Sequence, residues 1–251
     1  METDSPKAAT PKSKRRWFQF SLRSLFVVVT VVAVVCGYLA HEAKIEREAA
    51  NGRELLNELR QIGLAMLSYE RANRHFPAHA IFSTEGKPLL SWRVAILPYI
   101  EENELYKQFH LDEPWDSPNN KALIAKMPSA YAKPGRADDG KAVFLVPVGK
   151  GLAFEGTEGL PIQSFTDGTS NTILAVEVND DRAVIWTKPD DLEVDLNEPL
   201  DGLGEAHAGG IFCAVLADCR TIVISNEEDL ETLKALFTRN GGEAIDPDRI
   251  R

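Results

Sequence analysis

Cysteine is scarce in this 251-residue chain, with three residues at positions 36, 213 and 219. Such a count excludes a small secreted scaffold stapled by disulfides. The chain also lacks a glycine-rich phosphate loop, an HExxH pair and the paired short cysteine steps of a structural zinc module. Basic charge is in deficit, 28 Lys and Arg against 38 Asp and Glu, for a net charge of −10. A general nucleic-acid partner is therefore not expected, because phosphate binding needs a concentrated basic face. Disorder and fibrous repeats are excluded by 44% hydrophobic content, 17 Gly and 14 Pro without a period.

Long apolar runs are absent except for one, and the charge divides there. Residues 1–40 hold six basic and two acidic residues, net +4, while the remainder holds 22 basic and 36 acidic, net −14. From Ser24 to Ala40 there is no charged residue, and about 17 residues of helix rise about 26 Å, close to the thickness of a bilayer's hydrocarbon core. A buried Val-rich strand would be shorter. Trp17, Phe18 and Phe20 flank the run on one side and Tyr38 lies at the other, positions where amphipathic aromatics meet headgroups. The basic cluster Lys12 to Arg23 places the amino terminus in the cytoplasm by the positive-inside bias. A cleavable signal is the competitor, but the run exceeds the ~7–15 apolar residues of a signal peptide, and Cys36 sits too early for a lipoprotein junction at the exit of the run. The expected organisation is a cytoplasmic basic tail (1–21), a transmembrane helix (22–40) in contact with the lipid bilayer, and an extracytoplasmic domain (41–251) of a single-pass inner-membrane protein.

Beyond the span, Ile45, Ala49, Gly52, Leu56, Leu59, Ile62 and Met66 recur at helical spacing, while Glu42, Lys44, Glu46, Arg53, Glu54, Glu58 and Arg60 fill the other side. This predicts one helix of about fifty residues ending near Asn73, before Phe76-Pro77. A coiled-coil dimer would use a similar stripe, but Gly52 and Gly63 interrupt its few heptads, which favours packing on the protein's own sheet. A short helix pair is expected over 91–106. Strands are expected at 142–148, 163–165, 172–178, 183–187, 210–217 and 221–225. A last helix, Glu227 to Thr238, would be capped by Asn226, would bury Leu230, Leu233, Leu236 and Phe237, and would stop at Asn240-Gly241-Gly242. The fold class is α+β: a long amino-terminal helix on an antiparallel sheet, with a short carboxy-terminal helix.

Several strings carry a specific resemblance. They are Gln61-Ile62-Gly63-Leu64-Ala65-Met66, His75-Phe76-Pro77-Ala78, Leu90-Ser91-Trp92-Arg93-Val94-Ala95-Ile96-Leu97-Pro98-Tyr99, and Glu113-Pro114-Trp115-Asp116-Ser117-Pro118-Asn119. Further on stand Asp167-Gly168-Thr169-Ser170-Asn171-Thr172 with Glu177, then Trp186-Thr187-Lys188-Pro189, and His207 with Gly209-Gly210. Over about residues 50–245 the chain resembles the DUF1559 family of planctomycete-type proteins. The resemblance implies a pilin- or pseudopilin-like arrangement. Two departures bear on that transfer. The prepilin pattern of Gly before Phe-Thr-Leu-x-Glu is replaced by Gln19-Phe20-Ser21-Leu22-Arg23-Ser24, which removes the peptidase site and the glutamate. The family's His, nine residues, Asp-Gly becomes His207, ten residues, Asp218-Cys219, where the extra residue would be a bulge.

The remaining motifs each have an ordinary structural explanation. His207, Cys213, Asp218 and Cys219 are zinc-ligand types, but their spacing is not that of a structural site, and His207 is expected to orient the turn before its strand. A Cys213–Cys219 disulfide would need the chain to fold back between them. The acidic stretch 190–198 alternates oxygen ligands without a turn glycine, so a solvated edge strand is expected over a calcium loop. Asp167 to Asn171 is ordinary turn chemistry, with no histidine to activate Ser170. No catalytic, cofactor or metal residue is assigned and no cofactor is expected. Two functions remain open. One is a structural or interaction protein of the envelope, with envelope-protein partners. The other is an anchored solute-binding module using Trp92, Tyr99, Tyr106, Trp115 and Trp186, which would require these aromatics to converge on an open cleft. An enzyme is not expected.

Overall fold

The computed structural model describes residues 22–134, 139–207 and 209–243. The basic tail and Trp17, Phe18 and Phe20 lie outside them. The first element, α1 (Leu22–Asn73), is one uninterrupted helix. It belongs to two compact units, Met1–Ala49 and Ala50–Arg251, described separately here. In the first unit Phe26, Val27, Val28, Val29, Val31, Val32, Val34 and Val35 are all exposed. An exposed apolar surface of this length marks a membrane or protein contact, and the segment is long and apolar enough to cross a membrane. Ile45, expected in the buried stripe, is 49% exposed and lies in the first unit.

In the second unit Leu59, Ile62 and Met66 of the expected stripe are buried, whereas Leu56 is half-buried and Leu55 and Ala65 join the buried face. Leu55, Leu59, Ile62, Ala65 and Met66 are buried and join the main core, so the helix packs on its own chain's sheet. Gly63 marks a close approach. A Cβ there would stand 2.7 Å from Val215 Cγ2 and 3.7 Å from Cys219 Cβ, so the glycine lets helix and sheet touch.

Two short strands follow, β1 (Ala80–Phe82) and β2 (Pro88–Ser91), paired antiparallel. The expected helix pair appears as α2 (Trp92–Ala95), a 3₁₀ turn at Leu97–Tyr99, and α3 (Asn103–Tyr106). Ser91 caps α2 by accepting from the Arg93 amide. Next comes α4 (Pro118–Ala122), with Pro at its first turn and Ser117 as cap.

The run 142–148 is not one strand. It divides into β3 (Lys141–Ala142), β4 (Phe144–Leu145) and β5 (Pro147–Val148), which serve three different sheets. Residues 163–165 are not a strand either: Ile162–Ser164 is a 3₁₀ turn started by Pro161, whose carbonyl accepts the Ser164 hydroxyl. Then come β6 (Ile173–Glu177), β7 (Val184–Ile185), β8 (Leu192–Glu193), β9 (Ile211–Leu216) and β10 (Thr221–Ser225). The principal sheet has the order β10-β9-β6-β4 and is antiparallel throughout its described pairings. Strands β6 and β9 are almost wholly apolar because both faces are covered.

The β9–β10 hairpin turns through Ala217, Asp218 and Cys219, and Cys219 takes φ 69°. A three-residue hairpin loop commonly needs a left-handed residue at that point, a conformation that glycine takes without strain and cysteine rarely adopts. The register break against β9 lies in β6, between Ile173 and Ala175, while β9 pairs with β10 without a shift; the bulge expected after His207 is therefore not in the hairpin.

The last helix, α5 (Leu230–Phe237), starts later than expected, with Asp229 as its cap accepting from the Thr232 amide. Asn226 is otherwise engaged: its amide donates to the Gly210 carbonyl and its side chain lies against Gly210. Leu233, Leu236 and Phe237 are buried as expected, whereas Leu230 is 42% exposed because it stands in the first turn.

Candidate functional site

Two clusters of buried charge stand out in the second unit. One is built on α2. The Arg93 guanidinium is fully buried and meets Asp191 Oδ1 at 3.2 Å, with its other donors on the Ser91 hydroxyl and the Phe144 carbonyl. Asp191 Oδ1 also accepts from Trp92 Nε1 at 3.0 Å and the Val146 amide at 3.2 Å. Burial pushes the Asp191 carboxyl up to about 6, against the restraint of Arg93 and these donors. Asp191 is thus no part of a solvated edge. Its side chain is 2% exposed and joins β8 to the core, while Leu192 is buried beside it and Glu193 points to solvent. The cluster is a clamp: removing either partner would leave an uncompensated charge in the interior.

The second cluster lies at the end of β6. Glu177 is fully buried in a strand otherwise made of Ile, Leu, Ala and Val. It faces Phe144 on β4, and the Val176–Ala214 pairing carried one residue further sets it opposite Cys213 on β9. Its Oε2 lies 2.7 Å from His207 Nε2 and its Oε1 lies 3.1 Å from Lys133 Nζ. Lys133 also reaches Asp180 at 3.1 Å. His207 arrives from the loop before β9, where the Gly210 amide donates to the His207 carbonyl. This histidine does orient the approach to its strand by hydrogen bonding, as its position suggested, and the partner is Glu177. One donor atom each of Glu177, His207 and Cys213 lies within 4.8 Å of the others. Burial, reinforced by the Glu177 charge and only partly offset by Lys133, pushes the Cys213 thiol up to about 12, so it is an inert thiol.

The other candidates separate. Asp218 and Cys219 sit in the hairpin loop, where Asp218 pairs with Arg220 at 2.8 Å, and neither belongs to the Glu177 group. Cys213 and Cys219 are both free and buried, and Cys36 is free and exposed. Asp167 to Asn171 is a turn: Gly168 has φ 99°, and the Asp167 carboxylate accepts from the Gly241 and Gly242 amides after α5. Ser170 Oγ bonds Asn171 Oδ1 at 3.4 Å.

Sequence reasoning did not connect Glu177 or Lys133 to His207, nor Arg93 to Asp191. The available signal was a lone carboxylate closing an apolar strand, the kind of buried charge that requires a partner.

The aromatics do not converge on an open cleft. Trp92 and Trp186 are fully buried. Trp186 stacks on Tyr131 at 5.8 Å and donates its indole N–H to the Ile124 carbonyl. Tyr99, Tyr106 and Trp115 are partly buried and pack against the core.

Among known families, the model described as a protein of unknown function (DUF1559) matches residues 47–150. Comparison with curated proteins and with solved structures returns no match. The matched stretch runs from the second half of α1 through α2, with its buried Trp92 and Arg93, to β5, and over residues 47–150 the chain is similar to the DUF1559 family.

Proposed function

We propose that the protein is a single-pass inner-membrane protein of the cell envelope, with its amino terminus in the cytoplasm and its body outside. The body acts as a pseudopilin-like structural or interaction element and is not an enzyme. The observation that carries the reading is the contrast between two sets of apolar side chains. Those of the first half of α1 are bare, while Trp92 and Trp186, which a ligand cleft would display, are fully buried. A solute-binding module would have to rely on Trp115 and the partly buried tyrosines.

The test combines two measurements on native membranes. The full chain should resist extraction by high salt and alkaline carbonate, and protease added to intact spheroplasts should remove the 50–251 body. Release by carbonate, or survival of the body until the membrane is broken, would overturn the anchoring and the orientation respectively. A solute that raises the melting temperature of the full chain in detergent, with the effect lost in Trp115→Ala, would replace the structural reading by the solute-binding one.

A further inference from the structure

We propose that Glu177, His207 and Cys213 form a zinc(II) site, with Lys133 as the counter-charge that holds the site when metal is absent. The three side chains supply a carboxylate oxygen, an imidazole nitrogen and a sulfur whose donor atoms already lie within 4.8 Å of one another. In a tetrahedral zinc site with bonds of about 2.0–2.3 Å, ligand atoms stand about 3.4–3.6 Å apart. Metal entry therefore opens the 2.7 Å contact between His207 Nε2 and Glu177 Oε2 by under about 1 Å, and closes any longer pair by little more. Mixed N, O and S donors suit zinc, whereas calcium and magnesium require shells of oxygen.

An ion pair alone explains less of the arrangement. Lys133 neutralises Glu177, yet Glu177 Oε1 has no hydrogen bond of acceptable geometry among the described residues. The pair also gives no reason for a thiol to stand beside the carboxylate. Two of the three ligands are held by the sheet: Glu177 is in β6, between β4 and β9, and Cys213 is in β9, between β6 and β10. The third, His207, is held at the loop by Gly210, whose φ of 66° and contact with Asn226 leave no room for a side chain. His207 is 27% exposed and provides the route of entry, leaving the fourth coordination position to water.

The charges balance in both states. Without metal, the Lys133 ammonium pairs with the Glu177 carboxylate. On binding, the Cys213 thiol gives its proton to solvent, and zinc(II) is neutralised by the thiolate and the carboxylate. Lys133 then withdraws to Asp180, which it already touches at 3.1 Å and whose side chain is 65% exposed.

The test uses the full chain in detergent, stripped with chelator and titrated with zinc(II) and, as a spectroscopic probe, cobalt(II). One zinc ion per chain should bind, and cobalt should show a sulfur-to-metal charge-transfer band. That band should vanish in Cys213→Ser and persist in Cys36→Ser and Cys219→Ser. His207→Gln should weaken zinc binding at least tenfold. Lys133→Met should lower the melting temperature of the metal-free protein, bind zinc at least as tightly as the wild type, and recover its melting temperature when zinc is added. X-ray absorption on the wild-type zinc form should give one sulfur at about 2.3 Å with nitrogen and oxygen at about 2.0–2.2 Å, independently of whether any variant folds. Failure of the wild-type chain to bind zinc, absorption without sulfur, or a cobalt band that survives Cys213→Ser would overturn the site. None of these outcomes touches the membrane anchoring.

Discussion

Gly52 and Gly63 lie three turns apart on α1, and the same substitution at each should have opposite signs. In a helix interior Gly→Ala gains about 0.8–1.0 kcal/mol from backbone entropy and solvation. At Gly52 an added methyl meets nothing within 4 Å, so Gly52→Ala should deliver that gain, roughly 2–4 °C in melting temperature for a body of this size. At Gly63 the methyl would sit 2.7 Å from Val215 Cγ2. Valine is stiff at χ1 and β9 is held on both sides, so the neighbour cannot swing away as the tip of a lysine would. Overpacking of this kind costs about 1–3 kcal/mol, which outweighs the helical gain and leaves Gly63→Ala destabilised by about 0–2 kcal/mol. The decisive comparison is a double-mutant cycle with Val215→Ala, read by thermal melting of the full chain in detergent. With the valine methyls gone, Gly63→Ala should turn stabilising, with a coupling of about 1–3 kcal/mol. A gain at Gly63 equal to that at Gly52, or no coupling to Val215, would refute the close contact between helix and sheet.

Other expectations follow from the same helix. Leu59 is fully buried and Arg53 is exposed, so Leu59→Asp should lose about 1.5–3 kcal/mol of burial plus the cost of desolvating a carboxylate. Arg53→Asp should stay within about 0.5 kcal/mol, as surface changes usually do; equal melting temperatures would mean that the stripe is not buried in the monomer. Glu58 has its carboxyl pushed up to about 8, first by burial and then by the neighbouring Glu54. Because the folded value lies above the unfolded one, full stability is present below about pH 4.5 and is progressively lost as pH rises to about 8. Glu58→Gln should therefore match the wild type near pH 4 and melt higher at pH 8, and a difference that does not depend on pH would remove the titration argument.

The elements legible in the sequence were those whose period and length agree. The uncharged run after Ser24 and the stripe from Leu55 to Met66 announce α1, and the apolar strings at 173–177, 211–216 and 221–225 announce three of the four strands of the principal sheet. What escaped was decided by tertiary pairing. Periodicity places Ile45 on the same face as Leu59, yet Leu59 is covered and Ile45 is bare, a difference that period alone does not encode. Residues 142–148 read as one strand because each is apolar, yet their partners lie in three different sheets. Asn226 is as good a cap by type as Asp229, but its side chain lies against Gly210. The convergence of Glu177, His207 and Cys213 depends on strand register, which the sequence alone leaves undetermined.

The strings that make the sequence distinctive are largely used up inside the fold. The Trp92 indole and the Arg93 guanidinium both end on Asp191. The Asn120 amide donates to the His110, Glu113 and Pro114 carbonyls and so holds together a stretch with little regular structure of its own. The Trp115 backbone amide is tied to the Leu89 carbonyl, and the Trp186 indole to the Ile124 carbonyl. Segments too short to be stable as helices or strands need side-chain bonds of this kind to satisfy their buried backbone groups, and large aromatics to supply the burial that a long element would give. A residue committed to several interior bonds is unavailable to a ligand unless the fold opens. The part His207 plays is different: it is partly exposed, lies on a loop, and meets a buried carboxylate beside a thiol. It is the one member of the distinctive strings that combines an interior partner with access to solvent at a group of metal-ligand side chains, and chemistry beyond anchoring should be sought there before the tryptophans.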